Sequence, residues 1–164
     1  MKRVLALLVL AAPLIAMADS PDATFYKKAA EGGIAEVEAG NLAQSKGTSQ
    51  QVKDFGARMV KDHSEANDKL KALAATKDVS LPTSSSVGQM ASKAKLEVLT
   101  GDTFDKSYIK GQVRAHQSTI ALFRKEIASG QDPDARAFAK ATLPTLRSHL
   151  KAIDTIAADA GVTK

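Results

Sequence analysis

Apolar residues recur at steps of three and four through long stretches of this chain, and that spacing constrains the fold more than any other feature. Residues 102–129 carry Ile109, Val113, His116, Ile120, Phe123 and Ile127 on one stripe. Residues 48–77 carry Val52, Phe55, Met59, His63, Leu70 and Leu73. The last stretch carries Leu146, His149, Ile153 and Ile156. Such steps place side chains on one face of an α-helix, which must bury itself against partner helices. No stretch alternates with a period of two, and there is no repeat of fixed period. The expected fold class is all-α.

Start and stop signals divide the chain. Ser20-Pro21-Asp22 reads as a cap followed by an N1 proline, opening a helix over 22–46 that Gly47 stops. Thr48 with Gln51 reads as a capping box for a helix over 48–77. A shorter helix over 87–99 opens on Ser86 and Gln89. Gly101 ends it, and Asp102 is the expected cap of the helix over 102–129. Gly130 ends that one, and Asp132-Pro133 opens the last, which runs to Gly161. Pro144 lies inside this last helix and removes one backbone hydrogen bond.

The first and second long helices are joined by a short turn, as are the third and fourth, so each pair is antiparallel. The connection over 78–101 is long enough to cross the length of a bundle. The second and third long helices then run parallel, giving an up-down-down-up four-helix bundle with a short extra helix in the crossover.

The first long helix differs from the others. Its face Ala29, Gly33, Glu36, Gly40, Ala43 is built of small residues around one carboxylate. Glu31 and Glu38 on the same helix read as solvated. The chain has three histidines, and each lies on the apolar seam of a different helix. Each is about fifteen residues into its helix, and Glu36 is about fourteen into its own; at ~1.5 Å per residue all four fall near one plane of a bundle.

The opening MKRVLALLVLAAPLIAMADS has a charged n-region at Lys2 and Arg3, an apolar run Val4 to Ala12, and Ala16-Met17-Ala18 as a cleavage site. It reads as a signal peptide over 1–18, leaving one domain over 19–164. The apolar run is too short to span a bilayer, and no span is expected after cleavage. The composition and this signal point to the periplasm, with peripheral attachment to the envelope open. Absence of cysteine removes a lipoprotein anchor, disulfides and thiolate ligands. The formal charge of +5 becomes +3 without Lys2 and Arg3, the lysines are interspersed with acids, and there is no Trp. A nucleic-acid groove wants clustered cations and stacking platforms, so no nucleic-acid partner is expected. No Ser-His-Asp set, phosphate loop or divided carboxylate pair can be assembled, so nothing marks the chain as an enzyme.

The segments FYKKAAEGGIAEVEAGNLA, VKDFGARMVKDHSEANDKL, GDTFDKSYIKGQVRAHQSTIALF and LPTLRSHLKA resemble the bacterial family called domain of unknown function 4142. The resemblance covers about 22–158, and MVKDH, FDKSYI and LPTLRSHL are its most specific parts. It implies an exported, ferritin-like four-helix bundle, often labelled an outer-membrane protein. No barrel strands accompany that label here. Ferritin-like di-iron proteins pair Glu-x-x-His motifs, but Val60, Val113 and Leu146 precede these histidines by three. A di-iron centre is therefore not expected.

One Glu and three His remain as a mononuclear first shell, suited to a single Zn, Cu, Fe or Ni ion. The expected metal site is His63, His116, His149 and Glu36, with Met59 as a soft donor favouring copper. Such a protein would serve metal handling or envelope stress protection. The alternative is a structural or interaction module whose histidines form a hydrogen-bonded polar core layer. In that reading Met59 is core filler and Glu36 accepts an imidazole N–H.

Overall fold

The computed structural model describes residues 21–163. The signal peptide over 1–18, its cleavage after Ala18 and the Ser20 cap fall outside the described residues. Five helices and no strand occur among those described: α1 Pro21–Lys46, α2 Gln50–Ala75, α3 Val87–Glu97, α4 Gly101–Ser129 and α5 Pro133–Asp159. The all-α expectation holds, and the element order is the one the stop signals mark. Among the described residues no helix is long and apolar enough to cross a membrane.

Two caps differ from expectation. The N-cap of α2 is Ser49, whose side chain accepts from Val52 N, not Thr48. Thr48 and Ser49 instead donate their backbone N–H groups to the Asp105 carboxylate, at 3.0 and 2.8 Å. That carboxylate satisfies donors the turn would otherwise leave free, and it displaces the local capping box. The second difference is in α4. It starts at Gly101, with Thr100 as N-cap and no side-chain cap bond; Asp102 sits in its first turn. The capping box of Ser86 and Gln89 forms, and Asp132 with Pro133 opens α5.

Helix directions follow from end contacts. Phe25, early in α1, packs on Phe123, late in α4, and on Phe138, early in α5. Ala74, at the end of α2, joins the same apolar cluster. At the opposite end Ala43, Val52, Phe104 and Ala157 meet in a second cluster. So α1 and α5 run one way, and α2 and α4 run the other. Helix α1 packs on α2 and α4, α5 packs on α4 and α2, and α3 lies across α1 and α4.

The two short turns are held in matching ways from opposite ends. Asp105 of α4 binds the α1–α2 turn, as described above. Asp22 of α1 accepts from Gln131 N at 2.8 Å and Asp132 N at 3.2 Å in the α4–α5 turn. Tyr26 Oη donates to Asp132 at 2.9 Å beside it. Each helical hairpin therefore carries the carboxylate that fastens the turn of the other.

The small-residue face of α1 allows close approach to α2. A Cβ on Gly40 would sit 2.7 Å from the Gly56 carbonyl oxygen, and one on Gly56 would sit 2.7 Å from Ala43 Cβ. Gly111 of α4 has open space instead. Gly→Ala in an exposed helix interior gains up to ~1 kcal/mol, whereas overpacking costs ~1–3 kcal/mol. Urea unfolding should therefore show Gly111→Ala equal to or more stable than wild type, and Gly40→Ala less stable by about 1–2 kcal/mol net. Equal gains at both positions would contradict the close α1–α2 packing.

A candidate metal centre at the bundle midplane

Three seams converge at mid-bundle. His63 lies between Met59 and Leu70 on α2, His116 between Val113 and Ile120 on α4, and His149 between Leu146 and Ile153 on α5. The first residue of each pair on α2 and α4 belongs to one apolar cluster and the second to the other; on α5 the order is reversed. The histidines thus form the layer that separates the two halves of the core. All three are buried, His116 and His149 to 1% exposure and His63 to 7%.

The rings face one another. Their centroids are 5.7 Å apart for His63–His116 and 5.4 Å for each of the other two pairs. One ring nitrogen from each lies within 4.8 Å of the others. Three points so spaced have a common centre no more than about 2.8 Å away, against the ~2.0–2.1 Å of a Zn–N bond, so closure by less than ~1 Å completes a shell.

Hydrogen bonding sets the tautomers of two rings. His149 Nε2 is 2.8 Å from Asp62 Oδ2, and His116 Nδ1 is 2.9 Å from the Gln112 carbonyl. A carbonyl and an ionised carboxylate only accept, so these nitrogens carry the hydrogens. The remaining nitrogens, His149 Nδ1 and His116 Nε2, are buried without a partner, and so is His63 Nε2. In their neutral rings His149 Nδ1 and His116 Nε2 present lone pairs. Second-nitrogen anchoring of this kind, to a carboxylate or a backbone carbonyl, is how metal-ligating histidines are oriented. Asp62 is itself held by Arg58, whose Nε is 3.3 Å away and whose terminal nitrogen donates to Ser148 Oγ at 3.1 Å.

Burial, with the neighbouring imidazoles His116 and His149, pushes His63 down to about 3. Burial also brings His149 down to about 4, against the opposing pull of Asp62. Burial raises the Asp62 carboxyl, but the hydrogen bonds from His149 and Arg58 outweigh it and hold it below its usual value. His63 and His149 are therefore neutral at pH 7, the form that binds metal.

Glu36 is buried on the α1 side but does not join the three imidazoles. Burial raises its carboxyl, partly offset by His116 and by a hydrogen bond with Gln112. Its Oε2 has no partner. Met59 is fully buried one turn from His63, within the apolar cluster that includes Phe55 and Tyr108. Phe55 walls the layer on that side, its ring 6.3 Å from His116 and 6.4 Å from His149. Glu31 and Glu38 are only partly buried; Glu38 pairs with Lys93 at 3.5 Å.

Asp62, Arg58 and the Gln112 carbonyl are the parts that sequence reasoning missed. Asp62 precedes His63 directly, and neighbours in a helix face different directions. Its side chain serves His149 across the interface with α5, a pairing with no local signature.

The buried histidines make stability depend on pH. The folded values of His63 and His149 lie below 6.5, so the unfolded chain takes up protons first as pH falls. Their contribution is full above about pH 6.5 and falls away below it, toward the folded values. At pH 5 the loss amounts to roughly 2 kcal/mol for each histidine. Glu126, raised to about 7 by burial and Asp22, acts with the opposite sign and must be cancelled by comparison. Urea unfolding of wild type and of His63→Leu/His149→Leu at pH 7.5 and 5 should show the wild type losing several kcal/mol more on acidification. Equal losses would contradict the buried neutral state.

Comparison with known proteins agrees with this architecture. The sequence matches the family described as Domain of unknown function (DUF4142) over residues 10–156. The fold resembles a crystal structure of a DUF305 fragment from Deinococcus radiodurans, with a TM-score of 0.75 at 12% identity, covering 85% of this chain and 96% of that one. It also resembles a DUF305 protein from Streptomyces coelicolor, with a TM-score of 0.74 at 16% identity, covering 90% and 98%. At these identities the likeness is one of fold alone. No curated protein matches the sequence.

Proposed function

This chain belongs to the DUF4142 family, and from that premise we propose that it is a periplasmic metal-binding protein, a ferritin-like up-down-down-up bundle holding one transition-metal ion. His63, His116 and His149 are the ligands. The observation that carries this reading is three buried histidines, one from each of three helices, each with an unpartnered ring nitrogen and each offering a nitrogen within 4.8 Å of the others. Leaving a buried polar atom unpaired costs ~1–3 kcal/mol, so three of them weigh heavily against a total stability of about 5–15 kcal/mol. An ion removes that cost. The alternative is a structural module whose histidines form a hydrogen-bonded polar core layer; the bonds of His149 to Asp62 and of His116 to the Gln112 carbonyl suit it, but it leaves three buried ring nitrogens without a partner.

Imidazole donors suit Zn, Cu, Fe or Ni. Met59, if its thioether joined the shell, would shift the preference toward copper. Asp62 fixes the tautomer and ring orientation of His149 and raises its basicity as a ligand. Metal handling or protection of the envelope is the role that fits, and export by the signal peptide over 1–18 places the protein where that role is needed. Peripheral association with the envelope is compatible with this role.

Protein recovered from its native compartment should carry close to one equivalent of a transition metal per chain. The apo protein should gain thermal stability on adding Zn²⁺ or Cu²⁺, because the ion binds only the folded arrangement. Replacing all three histidines with Leu should remove the metal and that gain. Asp62→Asn should weaken binding by about 10–100-fold without abolishing it. A wild type that binds neither ion, paired with a triple variant that is less stable at every pH, would show the histidines to be structural.

A further inference from the structure

The end of the bundle where α4 turns into α5 holds three buried carboxyl groups: Asp22 of α1, Glu126 of α4 and Asp132 at the head of α5. Two of them are well supplied with donors. Asp22 Oδ1 accepts the N–H groups of Gln131 and Asp132. Asp132 accepts from Asp134 N and Tyr26 Oη, and its Oδ1 is 3.3 Å from Lys77 Nζ. Glu126 is poorly supplied. Its Oε1 is buried without a partner, and its carboxyl shares a hydrogen bond with that of Asp22. It also lies in the last turn of α4, at the negative end of the helix dipole, where a carboxylate is disfavoured. Gly130 leaves the room that Glu126 Oε1 occupies, which a Cβ would take. Two carboxyl groups bond each other only when one of them carries a proton. The donors around Asp22 and Asp132 leave Glu126 as the group that holds it.

We propose that Asp22 and Glu126 form a proton-operated clasp between α1 and the α4–α5 turn. Protonated, Glu126 donates to Asp22 and steadies its grip on the turn. Ionised, it sets a second buried negative charge against Asp22 and weakens that grip. The other groups around the pair are Tyr26 of α1, Asp132, Asp134 and Arg136 of the turn and α5, and Lys77 after α2. Burial and Asp132 keep Tyr26 neutral, and Lys77 pairs with Asp132 and Asp134. Arg136 favours the ionised form of Glu126, but burial, Asp22 and Asp132 outweigh it and raise the carboxyl from 4.5 to about 7. The proton is therefore held more tightly in the closed clasp than in an opened, solvated one. The grip is strongest in acid, declines as pH rises above 4.5, and is weakest above about pH 7. This device does not depend on the metal reading.

Amide hydrogen exchange of the full chain, read by NMR and corrected for the intrinsic pH dependence of exchange, tests the clasp. The Gln131 and Asp132 amides, which donate to Asp22, report on it. The Thr48 and Ser49 amides, which donate to Asp105 at the other end, are the internal reference. In the wild type, protection of the first pair relative to the second should fall by about tenfold between pH 5.5 and 7.5. In Glu126→Gln the side-chain amide donates to Asp22 at every pH, and the relative protection should stay constant. The ¹³C signal of the wild-type Glu126 carboxyl should titrate near pH 7, a reading that needs no variant. Constant relative protection in the wild type would overturn the clasp. So would a Glu126 midpoint in the ordinary glutamate range, or a Glu126→Gln protein that loses relative protection as the wild type does.

Discussion

A layer of three imidazoles divides the core of this protein into two apolar clusters, and the positions of the helices depend on it. Each histidine occupies a seam position where the spacing of three and four would otherwise place a Leu or an Ile. The rings meet with centroids 5.4 to 5.7 Å apart, so α2, α4 and α5 are fixed in axial register by side chains that must face one point. Around this layer the second-nitrogen contacts matter as much as the rings. Asp62 reaches from α2 to His149 on α5, and the Gln112 carbonyl holds His116 on its own helix. The second nitrogen of each of these two rings is left buried and without a partner.

The ends of the molecule are organised to keep that register. Asp105 and Asp22 each fasten the turn of the opposite hairpin. Slipping one hairpin along the other would break these bonds and separate His63 from His116 and His149 together. Register, turn chemistry and the polar layer therefore support one another, which is the consistency a single well-defined structure requires. The stripe of small residues on α1 adds close contact with α2 through Gly40 and Gly56, and farther along it leaves open volume beside Glu36.

Much of this was legible in the sequence. The steps of three and four marked three of the long helices, caps and stop signals marked the first helix and the short one, and the limits of all five fell within a few residues. Placing His63, His116, His149 and Glu36 at one level needed only counting from each helix start. The cap at Thr48 was misread because the Thr48 and Ser49 N–H groups are taken by Asp105, 57 residues away from Thr48 in sequence, while α4 opens at Thr100 with no side-chain cap bond. Asp62 was invisible for the same kind of reason: its partner lies 87 residues away. The sequence also could not show which polar atoms group together, since periodicity puts Glu36 on the right face but says nothing of reach; the close group is the three imidazoles. Local pattern carries helix faces and levels; contacts between helices decide which polar atoms meet.

The central claim is that three imidazoles, and no more, close on one ion between the two halves of the core. X-ray absorption of the protein loaded with one equivalent of Zn²⁺ tests it most directly. The account predicts three imidazole nitrogens at ~2.0–2.1 Å, with the rest of the shell filled by a light atom from solvent. A shell with one imidazole or none, dominated by oxygen at every metal-to-protein ratio, would contradict it.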